Sequence, residues 1–321
     1  MKSYKDTIAV VIPCYKVRNH ILDVIRRIGS LVDLIIIVDD KCPEETGLFV
    51  KSSVSDPRVH VIFHSCNMGV GGAVLSGYQF GLVQGADILI KIDGDGQMDP
   101  GLIPKFIYPI IDGTADYTKG NRFYDLSSIK SMPVARLFGN ATLSFLSKIS
   151  SGYWNLFDPT NGYTAIHAKL LKHIPFSKIS KRYFFESDML FRLNLLRAKV
   201  VDVPMFAIYG DEISSLKISR VIGPFAIGHV KNFFKRLFYN YYLRDFNFAS
   251  ISLVFGLLFL IFGMGVGLFS WYLSVSTGIV ATSGTVMLAT LPVFLGFQMI
   301  LFFLSYDISS VPTKAIHKDL N

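Results

Sequence analysis

The sequence predicts an α/β domain built on a Rossmann-like, mostly parallel sheet, followed by a basic interfacial helix and two apolar helices long enough to cross a membrane. Two observations carry this expectation. Short β-branched runs alternate with helical patterns over the first part of the chain, which is the rhythm of βαβ units. Residues 246–306 contain no Asp, Glu, Lys or Arg, so all 56 charged side chains of the 321 residues (32 Lys+Arg and 24 Asp+Glu) lie in the other 260. The chain therefore joins an ordinary water-soluble domain to a segment suited to hydrocarbon. An aromatic content of 14% can fill a large core, which excludes disorder, and three cysteines cannot staple a disulfide scaffold.

In chain order, β-branched runs predict strands over 8–12, 34–38, 59–63 and 87–92, each ending in polar or Gly-rich residues. Helical patterns fill 20–31 and 71–84 between them. In such a sheet ligands bind at the carboxyl ends of the strands, so the ligand loops are expected at 13–15, 39–40, 67–72 and 93–97. The middle of the chain reads as mixed: a helix over 134–149, a turn over 158–162, a helix over 185–197 and a strand over 199–203. No P-loop occurs, and Gly69, Gly71 and Gly72 lack the spacing and the placement after the first strand that a dinucleotide site needs. Cys14, Cys42 and Cys66 show no CxxC spacing, and an odd number of thiols favours a reducing compartment. The seven histidines form no HExxH pair, and His60 and His64 most simply share one face of a strand, so zinc is not expected.

Between 217 and 244 there are six Lys/Arg and no acid, interleaved with Phe225, Phe233, Phe234, Leu237, Phe238, Tyr241 and Tyr242. Pro224 suits a first helical turn, and Lys231, Lys235 and Arg236 cluster apart from the aromatics. This is the composition of a helix lying on an anionic membrane surface. Spans are expected over 250–273 and about 285–306. The link between them carries no charge, whereas basic residues precede the first span and Lys314 and Lys318 follow the second. Positive-inside bias then puts both termini in the cytosol, as does a first apolar run too short for a signal peptide. The expected division is a cytosolic domain over 1–215, interfacial helix over 216–248, spans over 249–306 and a cytosolic tail over 307–321. Small faces at Gly256, Gly263 and Gly267 would permit a homo-oligomer. The formal charge of +8 does not imply nucleic acid, because the positive excess sits beside the spans.

The chemistry-bearing set is Asp93-Gly-Asp95-Gly-Gln97, two carboxylates at i and i+2 and an amide at i+4, directly after a strand. These are hard oxygen ligands for Mg²⁺ or Mn²⁺, ions commonly held by one or two carboxylates plus substrate phosphates. The chemistry suggested is neutralisation of a diphosphate leaving group. Taken together, Val10-Val-Ile-Pro13-Cys-Tyr15, Val38-Asp39-Asp40, Asn67-Met-Gly69-Val-Gly71-Gly72-Ala73 and Asp93-Gly-Asp95-Gly-Gln97-Met-Asp-Pro100 resemble the inverting glycosyltransferases of family 2, with the GT-A fold. More narrowly, the chain is similar to polyprenyl-phosphate glycosyltransferases of the dolichyl-phosphate mannose synthase-like branch. Gly120-Asn-Arg122-Phe123, Phe157-Asp158-Pro-Thr-Asn-Gly162-Tyr163, Phe185-Glu186-Ser-Asp188, Val201-Asp-Val-Pro204 and Tyr242-Leu-Arg244-Asp245-Phe246 extend the likeness over nearly the whole chain.

The resemblance implies that Pro13, Tyr15, Asp39, Asp40 and Asp93 line the nucleotide. It implies that Asp93, Asp95 and Gln97 hold the metal and that Arg122 and Arg136 pair with phosphate oxygens. Asp158, Glu186 and Asp188, with Asp95, are the catalytic candidates, Asp158 first. A phosphate-ester acceptor is already largely ionised near pH 7, so an acid at these positions serves to orient rather than to deprotonate. The implied donor is a UDP- or GDP-sugar and the acceptor a polyprenyl phosphate, with another membrane lipid or lipid-linked glycan as the alternative. Gly94 stands where the family often has alanine, which leaves ligation intact. Thr164 stands where an arginine often follows the aromatic, which removes one sugar or acceptor contact. No Gln-x-x-Arg-Trp motif occurs, which argues against a processive synthase.

Overall fold

The computed structural model describes residues 6–124, 134–206 and 218–320, and the chain divides into two compact units, Met1–Phe233 with Pro312–Asn321, and Phe234–Val311. The first unit contains β1 (Ile8–Cys14), α1 (Ile21–Arg27), β2 (Leu34–Asp39), α2 (Thr46–Ser53), β3 (Val59–Phe63), α3 (Val70–Val83), β4 (Ile88–Lys91) and α4 (Ile103–Ile111). It continues through β5 (Tyr117–Asn121), α5 (Val134–Ser151), β6 (Thr164–His167), α6 (Ala168–Lys172), α7 (Phe185–Leu195) and β7 (Val200–Pro204). Every strand expected from the sequence is present, while α1 and α7 stop short of the expected ends.

The strands form one seven-stranded sheet in the order β3-β2-β1-β4-β6-β5-β7. Only β6 runs against its neighbours, pairing antiparallel with both β4 and β5. Both faces are covered, so the inner strands are hydrophobic throughout instead of alternating. Ile8, Val10 and Ile12 pack with Ile21 and Val24 of α1 and Phe106 and Ile107 of α4. Val11 faces α3, where a Cβ added at Gly77 would stand 2.3 Å from it. Each fully buried Ile or Val contributes about 1.5–3 kcal/mol relative to exposure, which makes the alternation of contacts on β1 decisive for its register.

The topology sends chemistry to one edge. The carboxyl ends of β1, β2, β4, β5 and β7 lie together, and because β6 is reversed its first residue, Thr164, sits in register with both Lys91 and Lys119. The loop entering β6, which carries Asp158 and Gly162, is thereby delivered to the same edge as the loop after β4. At the opposite edge acids accept the first N–H groups of strands: Asp33 from Ile8 (2.9 Å), Asp87 from Thr7 (2.8 Å) and Asp116 from Lys199 (2.8 Å). Asp116 also accepts from the backbone N–H groups of Ile316 and His317 and meets the His317 Nδ1 at 2.8 Å. His317 stacks on His167, 4.4 Å between ring centres, and burial pulls the His167 imidazole down to about 4. Pro312–Asn321, within the tail expected over 307–321, thus belongs to the first unit.

His64 falls one residue past β3 and pairs with Asp40 and Ser76, so it does not share the strand face of His60. The basic helix is α8 (Ile218–Leu237), and Pro224 lies inside it and not in its first turn. Ile227, Val230 and Phe234 are exposed at spacings of three and four, and Lys231 and Lys235 are also exposed.

In the second unit a π-helical segment (Phe238–Arg244) leads to α9 (Phe248–Thr277) and α10 (Ser283–Ser309). Asn247 opens α9 with a reciprocal capping box to Ser250, and Gly278 closes it with a φ of 70°. The helices have 30 and 27 residues, about 45 and 40 Å at 1.5 Å per residue, enough for a hydrocarbon layer of about 30 Å. Only 17% and 11% of their most apolar stretches is buried, which separates them from core helices of a soluble protein. Gly256 and Gly263, two of the small residues expected to permit close approach, lie at tight contacts within this hairpin. A Cβ at Gly263 would stand 2.6 Å from the Ala289 carbonyl and one at Gly296 2.7 Å from the Gly256 carbonyl. Arg236, expected among the membrane-facing cations, is instead buried, its Nη1 2.5 Å and Nη2 3.0 Å from the two Asp307 oxygens, with the Tyr241 hydroxyl donating to Asp307 at 2.6 Å.

Candidate active site

Asp39 and Asp40 end β2 and are both buried. Asp39 accepts from the backbone N–H groups of Cys42 and Gly47, both at 2.7 Å, and so anchors the first turn of α2. Asp40 accepts from Met68 (2.7 Å) and Gly69 (2.8 Å), while its Oδ1 meets His64 Nδ1 at 2.8 Å. Asn67 donates its amide to the Asp40 carbonyl at 3.1 Å. Of the two acids expected to line the nucleotide, Asp39 ties the loop after β2 to α2, and Asp40 ties it to the segment that enters α3. Pro13 lies near the end of the neighbouring strand β1, and Tyr15 directly after that strand is 47% exposed.

The loop after β4 turns at Gly96, whose φ of 78° is the left-handed region that favours glycine. Asp95 Oδ1 accepts from the Gln97 N–H at 3.0 Å, fixing that turn. Asp93 Oδ1 accepts from Lys91 Nζ at 2.8 Å. The same ammonium donates to the Gly162 carbonyl at 3.1 Å and stands 3.3 Å from Glu186 Oε1 in the first turn of α7. Burial alone would lower the Lys91 pKa, but the Asp93 and Glu186 charges outweigh it and hold the ammonium well above the usual lysine range. Burial raises the Glu186 carboxyl against the opposing pull of Lys91. Gly162 has no room for a side chain: a Cβ there would be 2.2 Å from Lys91 Nζ and 2.8 Å from Asp93 Oδ2.

Asp158, the leading catalytic candidate, is 2% exposed and accepts four hydrogen bonds. Arg122 supplies three of them, from Nε (2.7 Å), Nη2 (2.7 Å) and its backbone N–H (3.1 Å), and Asn161 supplies the fourth at 3.2 Å. Burial would raise the carboxyl, but Arg122 and Lys119 hold it below the usual carboxylate range. The fork expected to grip phosphate thus grips Asp158, in the bidentate geometry suited to it. Lys119 is buried beneath, donating to the Phe157 carbonyl at 2.7 Å and lying 3.5 Å from Asp202. Asp188, two residues and about half a turn along α7 from Glu186, accepts from the Ser180 N–H (2.9 Å), Arg192 (3.2 Å) and Asn232 (3.1 Å), so its partners are outside the Asp93 cluster. These bonds brace α7 against its surroundings. The side chain of Arg136 lies outside the described residues.

Lys91 and Lys119 were not singled out by motif, and Gly162 only as part of the turn at 158–162. A lysine inside an otherwise apolar buried strand, as in Ile88-Leu-Ile-Lys91-Ile92, is the signal that points to the first, since lysine is almost never buried without a partner. Among the described residues no three His, Cys, Asp or Glu side chains converge as a ready-made metal cage. The donor set still suits a hard divalent ion whose coordination is completed by phosphate: oxygens of Asp93, Asp95 and Gln97 on a tight glycine loop.

A parallel sheet interrupted by one reversed strand, with an Asp-x-Asp loop at its carboxyl edge, defines a glycosyltransferase of the GT-A type. Residues 9–175 match the model of glycosyl transferase family 2, and the chain belongs to that family. An undecaprenyl-phosphate mannosyltransferase of Micrococcus luteus is 33% identical over 205 residues, covering 62% of this chain and 82% of that one. The UDP-N-acetylglucosamine–dolichyl-phosphate N-acetylglucosaminyltransferase of Methanococcus voltae is 31% identical, covering 64% and 86%, and the polyprenol monophosphomannose synthase of Mycolicibacterium smegmatis is 30% identical, covering 61% and 75%. Among solved structures, the glucosyl-3-phosphoglycerate synthase of Mycobacterium tuberculosis in complex with Mn²⁺, UDP and glucosyl-3-phosphoglycerate shares the fold, with a TM-score of 0.51 over 72% of this chain and 80% of that one at 19% identity.

Proposed function

We propose that the protein transfers a single sugar, with inversion, from a UDP- or GDP-sugar to a polyprenyl phosphate at the cytosolic face of a membrane. The observation that carries this reading is the Asp93-Gly-Asp95-Gly-Gln97 loop at the carboxyl edge of the sheet in a chain that also bears two exposed apolar helices. The names of the three sequence relatives support the acceptor. The exposed stripe of α8 and its lysines fit an anionic interface, and the charge-free link between the spans fits positive-inside orientation.

Asp93, Asp95 and Gln97 would hold Mg²⁺ or Mn²⁺, which when bound neutralises charge developing on a diphosphate leaving group. The chain's own residues do the rest. Asp39 and Asp40 fix the loops that frame the donor site, and Gly162, with no side chain, lets Lys91 reach Asp93 and the loop entering β6. Asp158 keeps Arg122 and the loop entering β6 in place. A phosphate acceptor already ionised near pH 7 needs no base, which agrees with a leading acid that is buried and paired.

The test is release of nucleoside diphosphate by the detergent-purified full chain with UDP- and GDP-sugars and Mg²⁺ or Mn²⁺, with and without polyprenyl phosphate. Release that needs both metal and polyprenyl phosphate is expected, and Asp95→Asn should abolish it while the domain stays folded. Metal-dependent release indifferent to the lipid would transfer the acceptor to another membrane lipid. Normal turnover by Asp95→Asn would sink the metal assignment.

A further inference from the structure

Lys91 is 1% exposed, yet it lies beside the loop whose acids suit a divalent cation. Burying an ammonium is costly unless it is paired and hydrogen-bonded, and here three segments converge to pair it. Asp93 Oδ1 follows β4, the Gly162 carbonyl enters β6, and Glu186 Oε1 begins α7, at 2.8, 3.1 and 3.3 Å from the same Nζ. Without that charge, two carboxylates would share a cramped pocket with no cation between them. With it, a fixed positive charge stands next to a carboxylate otherwise suited to bind metal.

We infer that Lys91 is a positioning residue that acts as a built-in counter-cation, holding Asp93 and Glu186 in register and weakening the loop's hold on a divalent ion in the absence of the donor's diphosphate. This rests on the metal reading of Asp93, Asp95 and Gln97. Counting Asp93, Asp95, Glu186 and Lys91 together, the pocket carries two net negative charges when all are ionised. Removing the lysine leaves three, and removing the glutamate charge leaves one. Metal affinity should follow that order although neither Lys91 nor Glu186 is among the proposed ligands. A purely structural lysine predicts the opposite sign for its loss, because a loosened Asp93 would bind metal less well.

The experiment titrates Mn²⁺ alone into the detergent-purified full chain and follows free Mn²⁺ by electron paramagnetic resonance. Lys91→Met, nearly isosteric, should bind Mn²⁺ about three- to thirtyfold more tightly, the scale expected for one partly screened charge, while nucleoside diphosphate release falls. Glu186→Gln, which keeps Lys91, should bind Mn²⁺ more weakly by a similar factor. Equal or weaker Mn²⁺ binding by folded Lys91→Met overturns the inference and leaves the metal reading standing. If Lys91→Met does not fold, Glu186→Gln decides: weaker binding supports the inference, and equal or tighter binding overturns it. Wild-type protein that binds no Mn²⁺ even with UDP or GDP present removes the metal reading and the inference with it.

Discussion

Replacing Asp158 by asparagine keeps the shape of the side chain but removes the charge that Arg122 grips. The carboxylate is 1% exposed and accepts at 2.7 Å from both Nε and Nη2 of Arg122. Breaking a buried ion pair by removing one partner costs about 3–5 kcal/mol. Arg122 is 30% exposed, so water recovers part of its solvation and the expected loss is reduced to about 2–3 kcal/mol. For a unit of this size that corresponds to a fall in melting temperature of roughly 4–12 °C. The pH dependence has a definite sign. The Asp158 carboxyl is held low in the folded chain, because Arg122 and Lys119 outweigh the effect of burial. Its contribution is therefore fully present above an unfolded carboxyl pKa of about 3.9 and is lost as pH falls through the lower folded value. Melting curves of wild type and Asp158→Asn, followed by intrinsic fluorescence, should stay separated from pH 7 to 5 and converge only in stronger acid. An Asp158→Asn protein that melts with the wild type yet releases no nucleotide would refute this reasoning and return the carboxylate to the chemistry.

Gly162→Ala places a methyl 2.2 Å from Lys91 Nζ and 2.8 Å from Asp93 Oδ2. Overpacking of this kind costs about 1–3 kcal/mol, and turnover should fall at least about tenfold, checked by kcat and donor KM alongside a melting curve. Asp307→Asn strands the buried Arg236 and should cost about 3–5 kcal/mol in detergent thermal stability, whereas the joint change Arg236→Met with Asp307→Leu should recover most of it. Gly263→Val drives a side chain into the Ala289 carbonyl, 2.6 Å from the first added carbon, and should destabilise the α9–α10 hairpin. Light scattering on the same variant separates an intermolecular role: a lower oligomer mass with unchanged stability would contradict the packing described.

Much of the architecture is readable without coordinates because its determinants are local. The run Leu34-Ile-Ile-Ile-Val38 is apolar at every position, which only a strand covered on both faces satisfies, and β2 ends at the Asp39 that breaks it. The membrane-length helices declare themselves through 61 residues without a charge, and Asp93-Gly-Asp95-Gly-Gln97 through spacing alone. Helix ends are less legible: Pro224 marks no first turn, since a proline can be carried inside a helix whose neighbours stabilise it.

What composition and spacing cannot give is which distant charges meet. Arg122 reads as a phosphate ligand, and only the fold shows that its Nε and Nη2 meet Asp158, while Arg236 looks like a lipid contact until Asp307 is found beside it. Gly256 and Gly263 read as small faces that permit close approach, and only the fold shows that they pack α9 on α10 of the same chain. The sequence by itself determined the strands, the acidic loop and the two apolar helices, because each depends on hydrophobic period, turn chemistry or charge within a few residues. The tertiary structure decided the cluster of Lys91, Asp93, Gly162 and Glu186, because it exists only through the reversal of β6, which carries a loop from far along the chain to the carboxyl edge of β4, and through the seating of α7 beside it.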